Sequence, residues 1–248
     1  TLYELIVAEI AGQRKAFDLS LNNYMHQARL TKDPEIARRA TYIAQYLQRD
    51  DQLLQASKLW QEADPDNSEP YLIAASLLLR KGDFTTALPL LRKALNHSDK
   101  QTLLIISAQA DKLSPEENEA YTELLEEQAD KETDATLLTT LGTLYALQGN
   151  SKKALQRFDA AIAENPDHLD AYLKKAELLR SQGHFKQAIR VLQPQIEGDQ
   201  ADQQLFTLYV QLLFQSGQTD KAVQQALLLV DTFPEEPQLT FYTALLLL

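Results

Sequence analysis

Gly149, Gly183 and Gly217 stand 34 residues apart, and Ala154, Ala188 and Ala222 repeat the same step. Pro166 and Pro234 are two steps apart. A fixed period of this length marks stacked supersecondary units, each too small to bury its own apolar face. Such an array presents a long concave surface in place of a closed pocket. The spacing therefore points first to a chain that holds other proteins.

Composition narrows this further. Only 7 glycines occur in 248 residues, too few turn signals for many short strands. Ala, Leu, Gln, Glu and Lys are abundant, and all favour helix. The net charge is −11, from 35 acidic and 24 basic side chains. The basic residues gather only in isolated pairs such as Arg38–Arg39, Lys152–Lys153 and Lys174–Lys175, so no nucleic-acid face is expected. The acidic excess reads as a solvated surface. Absence of cysteine excludes disulfides, thiolate zinc ligands and a thiol nucleophile. No segment reaches the ~18 consecutive apolar residues of a membrane span.

The clearest unit covers residues 135–168. Leu138, Leu141, Gly142 and Tyr145 fall on one face of a first helix. Small Gly142 marks a place where a neighbouring helix comes close. Gly149 suits a left-handed C-cap, and Ser151 reads as the N-cap of a second helix. That helix carries Ala154, Phe158 and Ala161 on one stripe, and Pro166 closes the unit. This order of side chains resembles the tetratricopeptide repeat. The resemblance implies an all-α fold: a solenoid of antiparallel helix pairs in a right-handed superhelix.

In that phase the chain divides into one array with units at 1–33, 34–67, 68–101, 102–134, 135–168, 169–202 and 203–236. The unit at 102–134 is degenerate, and 237–248 begins an eighth. Within 68–101, Pro89 is placed early in the second helix. Pro194 predicts that the second helix of 169–202 stops or kinks near Gln193. Ser114 with Pro115, Glu116 and Glu117 predicts a helix start. Trp60, Tyr145 and Phe158 are placed in the core. The start at Thr1 and the apolar run Leu245–Leu248 lead to the expectation of a longer parent chain.

The stretches LYELIVAEIAGQR (2–14), NNYMHQARLT (22–31), DPEIARRATYIAQYL (33–47) and ASKLWQEADPDN (56–67) resemble a narrower family. It comprises outer-membrane repeat lipoproteins of gammaproteobacteria that act as adaptors of a carboxyl-terminal processing protease. The resemblance covers roughly the first 100 residues. It implies a periplasmic protein, tethered through a lipidated N-terminal segment that these residues lack. It also implies binding of the protease and presentation of its cell-wall hydrolase substrates. Without it, a cytoplasmic location stands equally open.

No catalytic, cofactor or metal site is expected. His26, His97, His168 and His184 fall in separate units and never pair at helical zinc spacing. The glycines sit singly, so no phosphate-binding loop forms, and acidic pairs such as Glu116–Glu117 complement helix dipoles. The candidate site is instead the inward face of the first helices. Subtracting the packing stripe leaves Thr136, Thr139, Thr143 and Ala146; then Asp170, Leu173, Glu177 and Arg180; then Gln204, Thr207, Gln211 and Phe214. Hydroxyls and amides both donate and accept, which suits the backbone of an extended peptide. Arg at Thr139 and Thr207 is accordingly expected to weaken partner binding at unchanged stability. The Asn and Lys/Arg cluster of a carboxylate clamp is lacking. The alternatives are a self-assembling module that associates through Leu239–Leu248, or a cytosolic co-chaperone-like scaffold.

Overall fold

The computed structural model describes residues 2–94, 100–197 and 202–235. The chain forms two compact units, one ending at Gln128 and the other beginning at Ala129. The described residues of both are helical, without strands.

The first unit holds α1 (Leu2–Gln13), α2 (Phe17–Thr31), α3 (Pro34–Tyr46), α4 (Asp50–Ala63), α5 (Glu69–Lys81), α6 (Phe84–Ala94), α7 (Lys100–Gln109) and α8 (Pro115–Ala129). The second holds α9 (Ala135–Leu147), α10 (Ser151–Glu164), α11 (Leu169–Ser181), α12 (Phe185–Ile196), α13 (Gln203–Gln215) and α14 (Thr219–Thr232). Helices joined by short turns pack as antiparallel neighbours, and consecutive helices touch throughout α1 to α6 and α9 to α14.

One turn is repeated. Gly82, Gly149, Gly183 and Gly217 all have φ of +76 to +77°. In each case the next residue donates its N–H five residues back, as Asn150 does to Tyr145 O at 2.9 Å. This closes the helix with a Schellman motif and satisfies its orphan carbonyls. The same turn occurs after α1 and α3 without glycine. Lys15 and Gln48 take φ of 61 and 55°, and Ala16 and Arg49 donate to Ala11 O and Ala44 O at 2.8 and 2.9 Å. A side chain in the left-handed region costs about 1–2 kcal/mol. Gln48→Gly and Lys15→Gly should therefore each raise stability by about 1 kcal/mol, after allowance for the extra freedom glycine gives the unfolded chain. Urea midpoints measure this, and no gain at either site would show the turn to be unstrained.

Counting from these turn residues exposes the packing rule. Five residues later stand Ser20, Leu53, Ala87, Ala154, Ala188 and Ala222, all buried. Positions i and i+16 fall on the two helices of a pair: Ala8 and Tyr24, Thr41 and Ser57, Ala75 and Leu91, Gly142 and Phe158, Ala176 and Leu192, and Val210 and Ala226. All are buried, and none of these pairs combines two large side chains. At Gly142 the approach is close enough that an added Cβ would lie 2.4 Å from Phe158 Cε1.

Several sequence expectations change in detail. Asn150, not Ser151, caps α10, accepting from Lys153 N at 3.3 Å. Pro89 lies in the interior of α6 and not in its first turn. α12 continues through Pro194 to Ile196; so close to the helix end, proline removes a single bond. Ser114 and Glu117 form a reciprocal capping box at α8, at 3.2 and 3.0 Å. The eighth unit and its apolar run Leu239–Leu248 lie outside the described residues.

Candidate protein-binding face

The first helices of each pair lie side by side in the second unit, α9 beside α11 and α11 beside α13. Their non-packing residues do not form one uniform wall. Thr136 is 8% exposed and Thr139 only 1%. Thr139 Oγ1 donates to Ala135 O at 2.7 Å, and Thr143 Oγ1 to Thr139 O at 3.0 Å. These hydroxyls serve their own helix backbone. α9 is buried on nearly every face, Leu137 and Leu144 included. Thr136 and Thr139 are thus not surface groups, and Thr139→Arg would bury a guanidinium and unfold the helix packing. Thr143 remains half-buried.

α11 and α13 are different. Asp170, Glu177, Arg180, Thr207 and Gln211 are half-buried, and Gln204 is exposed. Arg180 Nη1 donates to Gln211 Oε1 at 3.0 Å, tying the two helices across this face. Glu177 sits 3.6 Å from Lys174 Nζ. Thr207 Oγ1 donates to Gln203 O at 2.8 Å, which leaves its oxygen free to accept. Phe214 and Leu173 pack partly on the core of this unit.

The first unit contributes residues that sequence reasoning missed. Tyr24 Oη donates to Glu9 Oε2 at 2.8 Å, and Arg39 Nη1 donates to Tyr24 Oη at 3.0 Å and to Glu9. The Tyr24 hydrogen bond and the Arg39 charge hold the Glu9 carboxyl below the usual carboxylate range, against some desolvation. Burial and the Glu9 bond push the Tyr24 phenol up. The Glu9 contribution is therefore present above ordinary carboxylate pKa values and lost as pH falls through its depressed value. Tyr42 Oη donates to Glu69. The spacing used on α9 to α13, applied to units 1–33 and 34–67, places Glu9 and Tyr42 on the same face, but no glycine marks the turn at Lys15 or Gln48.

Among the described residues no three His, Asp or Glu side chains cluster as metal ligands. His26 and His184 are exposed and His168 is half-buried; His97 lies outside the described residues. No described helix is long and apolar enough to cross a membrane.

Helix pairs closed by a recurring left-handed turn, with a small residue under a larger one, define the tetratricopeptide-repeat class, and residues 145–212 match its family model. Over that stretch the chain carries the tetratricopeptide repeat, a helical scaffold suited to protein–protein interaction. It is 44% identical over 96 residues to a repeat-containing protein of Pseudomonas aeruginosa, TPR repeat-containing protein PA4667. That match covers 39% of this chain and 16% of the Pseudomonas protein, so the chain spans about a sixth of that relative. Among solved structures, a tetratricopeptide repeat protein of Parabacteroides merdae aligns over 99% of this chain and 98% of its own, with TM-score 0.54 and 12% identity. The Cut9–Hcn1 hetero-tetramer aligns over 93% and 48%, with TM-score 0.53 and 12% identity. The MamA protein aligns over 75% and 94%, with TM-score 0.52 and 18% identity. At these identities the likeness concerns the fold alone.

Proposed function

We propose that this chain is a non-enzymatic adaptor that holds a protein or an extended peptide on the faces of its first helices. More narrowly, we propose that it presents substrates, cell-wall hydrolases among them, to a periplasmic carboxyl-terminal processing protease from an outer-membrane tether. The observation that carries the first reading is the α11–α13 face. There Arg180 and Gln211 are joined at 3.0 Å beside accessible Gln204, Thr207 and Glu177. Such a set of amide, hydroxyl and mixed charge complements a polypeptide backbone. The narrower reading is supported by the segments at 2–67 and by kinship with a Pseudomonas repeat protein.

The test is affinity capture from a gammaproteobacterial envelope extract, read by mass spectrometry. Recovery of a carboxyl-terminal processing protease or cell-wall hydrolases is expected. The double substitution Gln204→Arg with Thr207→Arg should weaken that capture about tenfold, or ~1.4 kcal/mol, at unchanged melting temperature. Recovery of cytosolic partners alone would overturn the protease reading. Capture indifferent to the double substitution would overturn the α11–α13 face.

A further inference from the structure

We propose that the recess between α1, α2 and α3 is a pocket for one bulky, uncharged apolar side chain, aliphatic or aromatic, projecting from an extended segment of a partner protein. This rests on the reading that the first-helix faces hold extended polypeptide.

The recess measures about 430 Å³ and is open along one side. Its floor is Ala8, Gly12 and Ser20, and its walls include Phe17, Tyr42 and Ile43. Gly12 is the informative residue. Glycine within a helix costs roughly 1 kcal/mol relative to alanine, so a reason for it is expected. For Gly142 the reason is steric, because Phe158 occupies the space of a Cβ. For Gly12 packing supplies none. An added Cβ would meet only Ser20 Oγ at 3.4 Å, an ordinary contact, and Gly12 is not among the glycines of positive φ. What its missing side chain does is open the recess. At the same place before the turn the other regular units carry Gln45, Leu79, Ala146, Arg180 and Phe214, each of which would fill it to some degree.

The chemistry of the lining selects the occupant. Glu9 and Arg39 border the recess, but each is the other's partner, with Tyr24 between them. A charged side chain would compete with that set for Arg39 or Glu9, whereas an apolar one meets methyl groups and ring faces. The opening argues against a small molecule, since small-molecule sites enclose roughly 70–90% of their ligand. A side chain whose backbone lies outside needs no such enclosure. The rim also offers exposed aromatics. Tyr42 is 38% and Tyr46 72% exposed, with Tyr46 edge-on to Phe17 at 5.2 Å. Tyrosines in such settings carry much of the energy of protein contacts.

The test uses soluble Gly/Ser/Thr host peptides that differ only in a central Leu, Phe, Ala, Asp or Lys. Methyl NMR of Ala8 and Ile43 reports the recess, and the Thr207 methyl reports the α11–α13 face. The Leu and Phe peptides should shift Ala8 and Ile43 saturably, with affinities about tenfold above the Ala, Asp and Lys peptides. Gly12→Gln gives the first pair the residue that Gln45 supplies in the second. It should erase that difference while shifts at Thr207 stay unchanged and the melting temperature does not fall. Gly12→Ala serves as the control for folding. Shifts at Thr207 with none at Ala8 and Ile43 would overturn the pocket and leave the face reading intact. Shifts at Ala8 and Ile43 alone would support the pocket and remove the α11–α13 face. Tightest binding by the Asp or Lys peptide, or shifts at neither place, would overturn the pocket.

Discussion

Gly142→Ala should destabilise the α9–α10 pair by about 1–2 kcal/mol, although alanine is the better helix former. The gain in helix propensity is at most about 1 kcal/mol. Against it stands a Cβ placed 2.4 Å from Phe158 Cε1 and 2.6 Å from Cδ1, in a core where both partners are buried. Relief requires the ring to leave its rotamer or the helices to part, and overpacking of this kind costs roughly 1–3 kcal/mol. Because repeat arrays need not unfold in one step, amide hydrogen exchange in α9 and α10 is the better measurement, with urea unfolding as the global check. The i, i+16 rule supplies a rescue. Gly142→Ala with Phe158→Leu recreates the pair Ala176–Leu192, which the chain already accommodates. The double variant should recover most of the loss, and the cycle should show a favourable coupling of about 1–2 kcal/mol. A neutral Gly142→Ala would refute the close approach. A double variant less stable than either single one would refute the pairing.

The same rule explains what was legible in the chain. Gly149, Gly183 and Gly217 announced their units because a left-handed turn is where glycine has an advantage no other residue shares. Lys15 and Gln48 adopt that turn as well. The first two helix pairs were placed in phase at 1–33 and 34–67, but nothing in a lysine or glutamine signals positive φ, so the turn itself was not marked there. The inward positions were read only where glycine marks it, which is why Glu9, Gly12, Tyr42 and the recess near α1 went unread. The opposite error arose at α9. Subtracting the packing stripe finds a wet face only if the remaining face is wet, and ten of the thirteen residues of α9 are buried. Leu137 and Leu144 were the available sign, a second apolar row on a helix whose threonines can turn their hydroxyls back onto their own carbonyls. Half-exposed Arg180 and Gln211 were found by spacing, but their mutual bond depends on the distance between α11 and α13, which no linear pattern contains.

Tyr121→Ala should cost the first unit about 3–5 kcal/mol. The degenerate fourth pair explains why. α7 ends without the recurrent turn, in a short 3-10 segment Ala110–Lys112, so α8 lacks the connection that positions the other second helices. Tyr121 stands 34 residues after Ala87 and 33 before Ala154, where those pairs have a small residue. It fills the site completely, with no exposed surface. Its ring meets Phe84 edge-on at 6.4 Å, and its hydroxyl donates to Phe84 O at 2.9 Å. Two polar ties from α6 to α8, Arg92 to Glu127 at 2.7 Å and Thr85 to Glu117 at 2.9 Å, lie in solvent, and exposed pairs contribute little. Tyr121→Phe isolates the hydroxyl and should cost about 1 kcal/mol. It also has a signature in pH. Burial, with the nearby Glu117 and Asp83 charges, pushes the Tyr121 phenol well above its ordinary value of 10.0. The folded chain then keeps a proton that the unfolded chain gives up, so the contribution is complete below the unfolded value and is lost as pH rises beyond it. Wild type should lose stability steeply from pH ~10 upward, and Tyr121→Phe should flatten that limb. The remainder belongs to Tyr24 and Tyr42, whose phenols are also raised, chiefly by burial and by the Glu69 hydrogen bond respectively. An alkaline limb unchanged in Tyr121→Phe would show that this phenol titrates normally and that the bond to Phe84 does not hold α8 in place.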